Sequence, residues 1–150
     1  MTHQFRGGWI GGRWISGEGE PFSSRNPASH FSIVATGKGA SVTQVDEAVQ
    51  AAKQAAPGWA QTPYNERKAI CLAIEQFLDN WKERCAPVMT REMGKPLREA
   101  LGEAGSLLGK VRVSAIAQES LPSLQLPGAP GTTRWKAHGA IGIIGPYNYP

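Results

Sequence analysis

Asn148 has the most chemistry to offer. It sits in Gly145-Pro146-Tyr147-Asn148-Tyr149-Pro150, directly after the apolar run Ala140-Ile141-Gly142-Ile143-Ile144. An asparagine in a proline-bracketed turn past a buried strand is held in a fixed direction. Its side-chain NH2 could donate to a developing oxyanion, an electrostatic role that often dominates acyl-type chemistry. The carboxyl end of a strand in an open α/β sheet is also where ligands bind. The alternative is that Asn148 bonds its own turn backbone, as turn asparagines commonly do. Composition and spacing alone favour that alternative.

The other polar candidates offer less. Gly139, Gly142 and Gly145 recur every third residue, but the G-x-G-x-x-G form of a phosphate loop is absent. Glycines that thin a buried strand for the approach of another backbone are the expected reading. His138 has no Cys, Asp or Glu at catalytic or metal spacing and reads as structural or surface. Glu99 and Glu103 share one helical face, with cations nearby that suggest a solvated or interface face rather than a working carboxylate pair. Cys71 and Cys85 lie in helical contexts without a neighbouring His. Neither is expected to be a nucleophile, and no metal site is expected.

Composition narrows the class. With 150 residues and 41% hydrophobic content, the chain reads as a globular protein of one-domain size. No apolar run approaches the ~20 residues that span a bilayer. The N-terminal MTHQFRGGWIGG lacks an apolar core and a cleavage site, so no secretory signal is expected. Two cysteines without metal spacing suggest reduced thiols and a cytoplasmic protein. The net charge of +4 comes from scattered residues. Arg84, Arg91, Lys95 and Arg98 form the one local concentration, and Glu83, Glu92 and Glu99 interleave with them. Nucleic-acid binding would need a clustered basic stripe, so neither a nucleic-acid nor a membrane partner is expected.

The elements that must position Asn148 can be read from the pattern. Trp9-Ile10 and Trp14-Ile15 flank Gly11-Gly12, and Asn26-Pro27 closes a segment of short strands. Phe31–Gly37 suggests one more. Ser41 with Gln44 has the form of a capping box, followed by Val45, Ala48, Val49 and Ala52 at helical spacing, and Pro57-Gly58 is expected to end that helix. Thr62-Pro63 suggests the N-cap and first residue of a second helix, carrying the stripe Ile70, Ile74, Phe77, Leu78, Trp81. The direction breaks at Asn80 or Lys82. Pro87 is tolerable if the third helix begins shortly before it, and Gly94 is its expected C-cap. A long helix is expected from Pro96 to about Gln118. Its Gly102, Gly105 and Gly109 suggest close approach of another backbone. Leu121–Gly131 reads as a Pro/Gly-rich connector, Thr132–Ala137 as a strand, and Ala140–Gly145 as a buried strand opening an α/β sheet. A doubly wound sheet needs several strands, and only one candidate has begun. The helices therefore have apolar faces and no sheet within the chain to cover, which points to an incomplete fold.

These stretches together resemble the NAD(P)-dependent aldehyde dehydrogenase superfamily. HGAIGII with GPYNYP after it is similar to that family's strand-and-turn motif, in which Asn stands between aromatic residues before Pro. REMGKP (Arg91–Pro96) is similar to its Glu-x-Gly-Lys-Pro turn, and WIGGRWI…NPA to its N-terminal hairpin. Val45–Ile70 is similar to its alanine-rich first helix, the tryptophan after it and the arginine on the next helix. Within the superfamily, GPYN, His138-Gly139, GEGEPFSSRNPA and GKVRVSAI are most similar to the succinylglutamate-semialdehyde dehydrogenases of arginine catabolism.

The resemblance implies a fold class and a partial site. The fold is α/β, the N-terminal part of an aldehyde dehydrogenase-like fold. Residues 1–40 would form N-terminal strands, 41–120 the helical part of the cofactor-binding domain, 121–138 a connector and oligomerisation strand, and 139–150 the first strand of the cofactor-binding sheet with the Asn turn. In the family a cysteine thiolate attacks the aldehyde, and an Asn side chain and a backbone N–H hold the resulting oxyanion. Hydride passes to the nicotinamide, and a glutamate-activated water hydrolyses the thioester. Asn148 falls on the oxyanion-holding Asn. Ile144, Gly145, Pro146 and Tyr147 fall on the strand end that borders NAD, and Tyr149 near the substrate tunnel. Full-length members are expected to be homo-oligomers. The catalytic cysteine and glutamate lie later in the family's sequence, and Cys71 and Cys85 do not match the nucleophile's context. The chain looks like about the first third of such an enzyme. Without those residues it is expected to be inactive alone, the alternative being a non-catalytic assembly fragment or a relic of a truncated gene.

Overall fold

A computed structural model describes residues 2–120, 128 and 130–149. Two small sheets precede four helices among these residues. Strands β1 (His3–Gln4), β5 (Ser29–Lys38) and β4 (Pro21–Asn26) form one sheet in that order, with β1 parallel and β4 antiparallel to β5. Strands β2 (Gly8–Ile10) and β3 (Arg13–Ile15) form a separate hairpin. Its two-residue turn is Gly11-Gly12, both at positive φ (57° and 83°), the conformation that matches strand twist in tight hairpins. Trp9 and Trp14 face each other across it, edge to face.

Helix α1 spans Val42–Gln61, and its start carries the expected capping box. Gln44 does more than cap. Its Oε1 accepts from the amides of Ser41 and Glu18, and its Nε2 donates to the Ser16 carbonyl. The side chain is buried and thus ties α1 to the β3–β4 connection. All three bonds lie within a part-buried site, where an unpaired polar group is expensive.

Several boundaries differ from the sequence expectation. Helix α1 runs through Pro57 instead of ending there. The proline denies the Lys53 carbonyl a donor, a cost of about 3 kcal/mol in an ordinary helix interior. The end is held from downstream. Thr62 caps it, its amide donating to the Gly58 and Trp59 carbonyls and its hydroxyl to Gly58. Arg67 in turn donates to the Thr62 carbonyl. Pro63, not Thr62, is therefore the N-cap of α2 (Tyr64–Asp79). Helix α3 spans Lys82–Met93, which places Pro87 sixth, beyond the first turn whose amides need no partner. Helix α4 spans Leu97–Glu119. Added Cβ atoms at Gly102, Gly105 and Gly109 would meet open space, so no backbone approaches that face among the described residues.

The core sits where β5 crosses α3 and α3 packs on α4. Val34, Ala86 and Ala100 are fully buried, and Ala104 nearly so. Small side chains at the α3–α4 contact let the helices approach closely. By contrast, Val45, Val49, Ile70, Ile74, Phe77 and Leu101 remain exposed. The apolar stripes exist, and about half of their surface stays in contact with water.

At the far end of α4, the Lys68 ammonium donates to Glu119 Oε1 at 2.5 Å, and Tyr64 bonds the Ala115 carbonyl. The hydrogen bond with Glu119, then its charge, raises the Lys68 pKa. The hydrogen bond from Lys68, then its charge, lowers that of Glu119. Both groups face solvent, so the pair is salt-sensitive and contributes little. The Glu119 contribution is present above the ordinary carboxylate range and is lost as pH falls through its lowered pKa. That of Lys68 is present below the ordinary ammonium range and is lost as pH rises through its raised pKa.

Both polar contacts can be tested. Q44A should destabilise the chain by about 2–3 kcal/mol in urea unfolding, against about 1 kcal/mol for S41A. Equal losses would mean that Gln44 acts only as a cap. Amide 15N shifts over 115–119 should stay constant through neutral pH and move in acid as Glu119 protonates. Movement centred on the ordinary carboxylate range instead of below it would show that the Lys68–Glu119 contact is not formed.

Candidate functional site

Helix α3 ends at Gly94 in the left-handed region (φ 73°), and its amide donates to the Thr90 carbonyl. A Cβ at Gly94 would come within 2.8 Å of Pro27 Cγ. The residue thus needs both the positive φ and the absence of a side chain. Pro27 belongs to the β4–β5 turn, where Asn26 Oδ1 accepts from the Ala28 amide at 2.9 Å. Pro96 is the N-cap of α4. Lys95 is therefore held between two helix ends, and its side chain projects from a fixed corner.

That side chain meets the Asn148 turn. Lys95 Nζ pairs with the Glu103 carboxylate, donates to the Asn148 carbonyl at 3.0 Å, and lies 5.8 Å from the centre of the Tyr149 ring. The Tyr149 amide donates to the Pro146 carbonyl at 3.4 Å, closing a turn over Tyr147 and Asn148. Tyr149 also borders a groove of about 690 Å³ lined by Leu78, Trp81, Met89, Leu107 and Glu103. Further back, Ala140–Gly142 border a second groove between β2 and α1. Residues 140–149 thus pass from the hairpin to the α3–α4 corner.

The side chain of Asn148 is exposed and forms no hydrogen bond among the described residues. It does not cap its own turn; the Lys95 ammonium and the Tyr149 amide hold that turn instead. The amide NH2 remains free to donate. Gly145 has open space around it, and Ile144, Pro146 and Tyr147 are all exposed. The geometry brings Asn148, Pro146 and Tyr147 into one turn and leaves Ile144 on the approach to it.

The structure corrects three expectations. Residues 140–145 do not form a buried strand: Ile143 is 88% and Ile144 99% exposed. A parallel strand needs a neighbour to receive its hydrogen bonds, and no strand among the described residues offers one. For the same reason Thr132–Ala137 is not a strand, apart from an isolated bridge at Thr132. Gly139, Gly142 and Gly145 face open space, so no backbone approaches them among the described residues. Of the two alternatives for the glutamate face, Glu103 takes the interface one, buried and paired with Lys95, whereas Glu99 is exposed and solvated. The connector over Leu121–Gly131 lies mostly outside the described residues. Cys71 and Cys85 are free thiols. Lys95, in the Glu-x-Gly-Lys-Pro turn, and Glu103 join the site although the sequence assigned neither of them a place in it. The available signal is that a lysine between a capping glycine and a proline cannot sit on a helix face.

Residues 14–150 match the sequence model of the aldehyde dehydrogenase family. The chain belongs to this family. It is 37% identical over 145 residues to an N-succinylglutamate 5-semialdehyde dehydrogenase of Pseudomonas fluorescens (strain Pf0-1), covering 95% of this chain and 30% of that protein. The chain spans about 30% of the length of the curated relatives it matches. Among solved structures, it is similar to an NAD-dependent benzaldehyde dehydrogenase from Corynebacterium glutamicum (TM-score 0.73, 29% identity, 84% of this chain and 28% of that one). It is likewise similar to an NADP-dependent glyceraldehyde-3-phosphate dehydrogenase from Bacillus halodurans C-125 complexed with NADP (TM-score 0.72, 27% identity, 83% and 26%). The α/β class is that of the N-terminal part of this fold. No helix among the described residues is long and apolar enough to cross a membrane.

The exposed isoleucines carry a measurable consequence. I143S/I144S should lower apolar-dye fluorescence while leaving helical circular dichroism unchanged. Unchanged dye binding would show that residues 140–145 are covered in solution.

Proposed function

We propose that this chain supplies the N-terminal third of an NAD(P)-dependent aldehyde dehydrogenase acting on N-succinylglutamate 5-semialdehyde. The observation that carries this reading is the 37% identity over nearly the whole chain to a relative of that name. The product is the corresponding carboxylic acid, the setting is arginine catabolism, and the enzyme works in the cytoplasm as a homo-oligomer. NAD is the cofactor we favour. The division into 1–40, 41–120, 121–138 and 139–150 stands as our reading of how the chain contributes to the complete fold.

Within that reading, Asn148 donates from its free NH2 to the oxyanion formed when the aldehyde is attacked. The donor is exposed and unpaired among the described residues, while its backbone is anchored at both sides of the turn. Preorganisation of that kind is what makes an oxyanion donor effective. The residues fit a nicotinamide cofactor as a border: Gly145 leaves its backbone open, and Ile144, Pro146 and Tyr147 present exposed apolar surface to a flat ring. When bound, the cofactor supplies the hydride acceptor. Ile144, Gly145, Pro146 and Tyr147 orient it and exclude water on one side.

The test joins residues 1–150 to the remaining part of the Pseudomonas fluorescens relative. The joined protein should reduce NAD with N-succinylglutamate 5-semialdehyde, and N148A should lower its kcat about 10²–10³-fold. A folded but inactive joined protein, or an N148A variant with full kcat, would overturn the reading. The 150-residue chain alone should give no turnover.

The exposure of Ile141, Ile143 and Ile144 favours a second reading, a non-catalytic chain that docks on a homologous subunit. Monomeric sedimentation in the presence of that subunit would exclude it.

A further inference from the structure

Lys95 and Glu103 have no part in the chemistry described above, yet both are largely withdrawn from water. Their side chains are 17% and 8% exposed. Burying a charge pair is costly, and apolar residues often hold helices together as well or better. The α3–α4 contact already has Ala86, Ala100 and Ala104 at its centre. Holding the helices together therefore does not by itself account for the pair.

The directions of the ammonium donors do account for it. One goes to Glu103 and one to the Asn148 carbonyl, and the ring of Tyr149 lies within cation–π reach. Both of the latter contacts fall on the chain just past the Asn148 Cα. With the Tyr149 amide bonded to Pro146, the turn is fixed at both ends. Glu103 holds the ammonium in place and cancels its charge, so the contribution is one of geometry rather than field.

We infer that Lys95, held by Glu103, is a positioning residue that fixes the turn carrying Asn148 and so aims its side-chain amide. This rests on the oxyanion role of Asn148 given above. The ammonium touches only the backbone of residue 148, so its effect on the reaction passes through that turn. A small displacement of a reacting or stabilising group can cost about 10²-fold in rate.

The experiment has a structural arm and a kinetic arm. In the 15N-labelled 150-residue chain, the heteronuclear NOE of Tyr147, Asn148 and Tyr149 should match that of α4. In K95M it should fall to values typical of a free end, with helical circular dichroism retained. E103Q should show a smaller fall. In the joined enzyme, K95M should lower kcat about 10²-fold with KM changed only a few-fold.

A turn as ordered in K95M as in the wild type would overturn the inference, as would equal loosening of the turn and α4 in E103Q. If K95M fails to fold, E103Q and the wild-type NOE decide the matter. Full kcat in N148A would defeat the reading of Asn148 as a donor. The NOE comparison would still determine whether Lys95 orders the turn.

Discussion

The bend at Gly94 is the constraint on which the rest of the structure depends. It combines a left-handed φ with contact against Pro27, so a side chain there would be excluded twice. Because the chain can turn at that point, α3 and α4 meet through alanines, β5 lies across α3, and the β4–β5 turn closes the corner. Lys95 is the next residue and inherits a fixed direction from the bend. The hydrogen bond from the helical layer to residue 148 comes from this lysine.

The balance of forces elsewhere is different. The helices carry apolar stripes that a globular fold would normally bury, and much of that surface remains in contact with water. Four residues make up the buried apolar core among those described. Specific polar contacts therefore carry an unusual share of the tertiary organisation. Gln44 ties α1 to the β3–β4 connection, Arg91 donates to the Ile33 carbonyl, and Arg112 pairs with the largely buried Glu75. Such contacts are directional, and they specify arrangement more than they supply net stability.

Much of the local structure is legible in the sequence because it depends on neighbours in sequence. The Gly11-Gly12 hairpin, the Ser41–Gln44 box, the Gly94 cap and the extent of α4 are each set within a few residues. The two internal prolines escape such a reading for the converse reason. Whether a helix stops at Pro57 depends on Thr62 and Arg67 beyond it, and α3 continues past Pro87 although the first turn has already closed. The apolar run at 140–145 suggests a strand because its side chains favour one. A strand is a property of a pair, and no partner edge lies within the described residues.

For the candidate site, the residues by themselves determined that Asn148 stands in a rigid turn after an apolar run, and similarity to a known family supplied the chemistry. Tertiary structure decided which groups hold that turn. In sequence, Lys95 looks like part of a mixed charge cluster and Glu103 like a residue of a solvated or interface face, since charge patterning along a chain records only neighbours in sequence. Folding brings Lys95 to a carbonyl fifty-three residues away and buries Glu103 beside it. The two contacts exist only once the chain turns at Gly94 and residues 146–149 return to that corner.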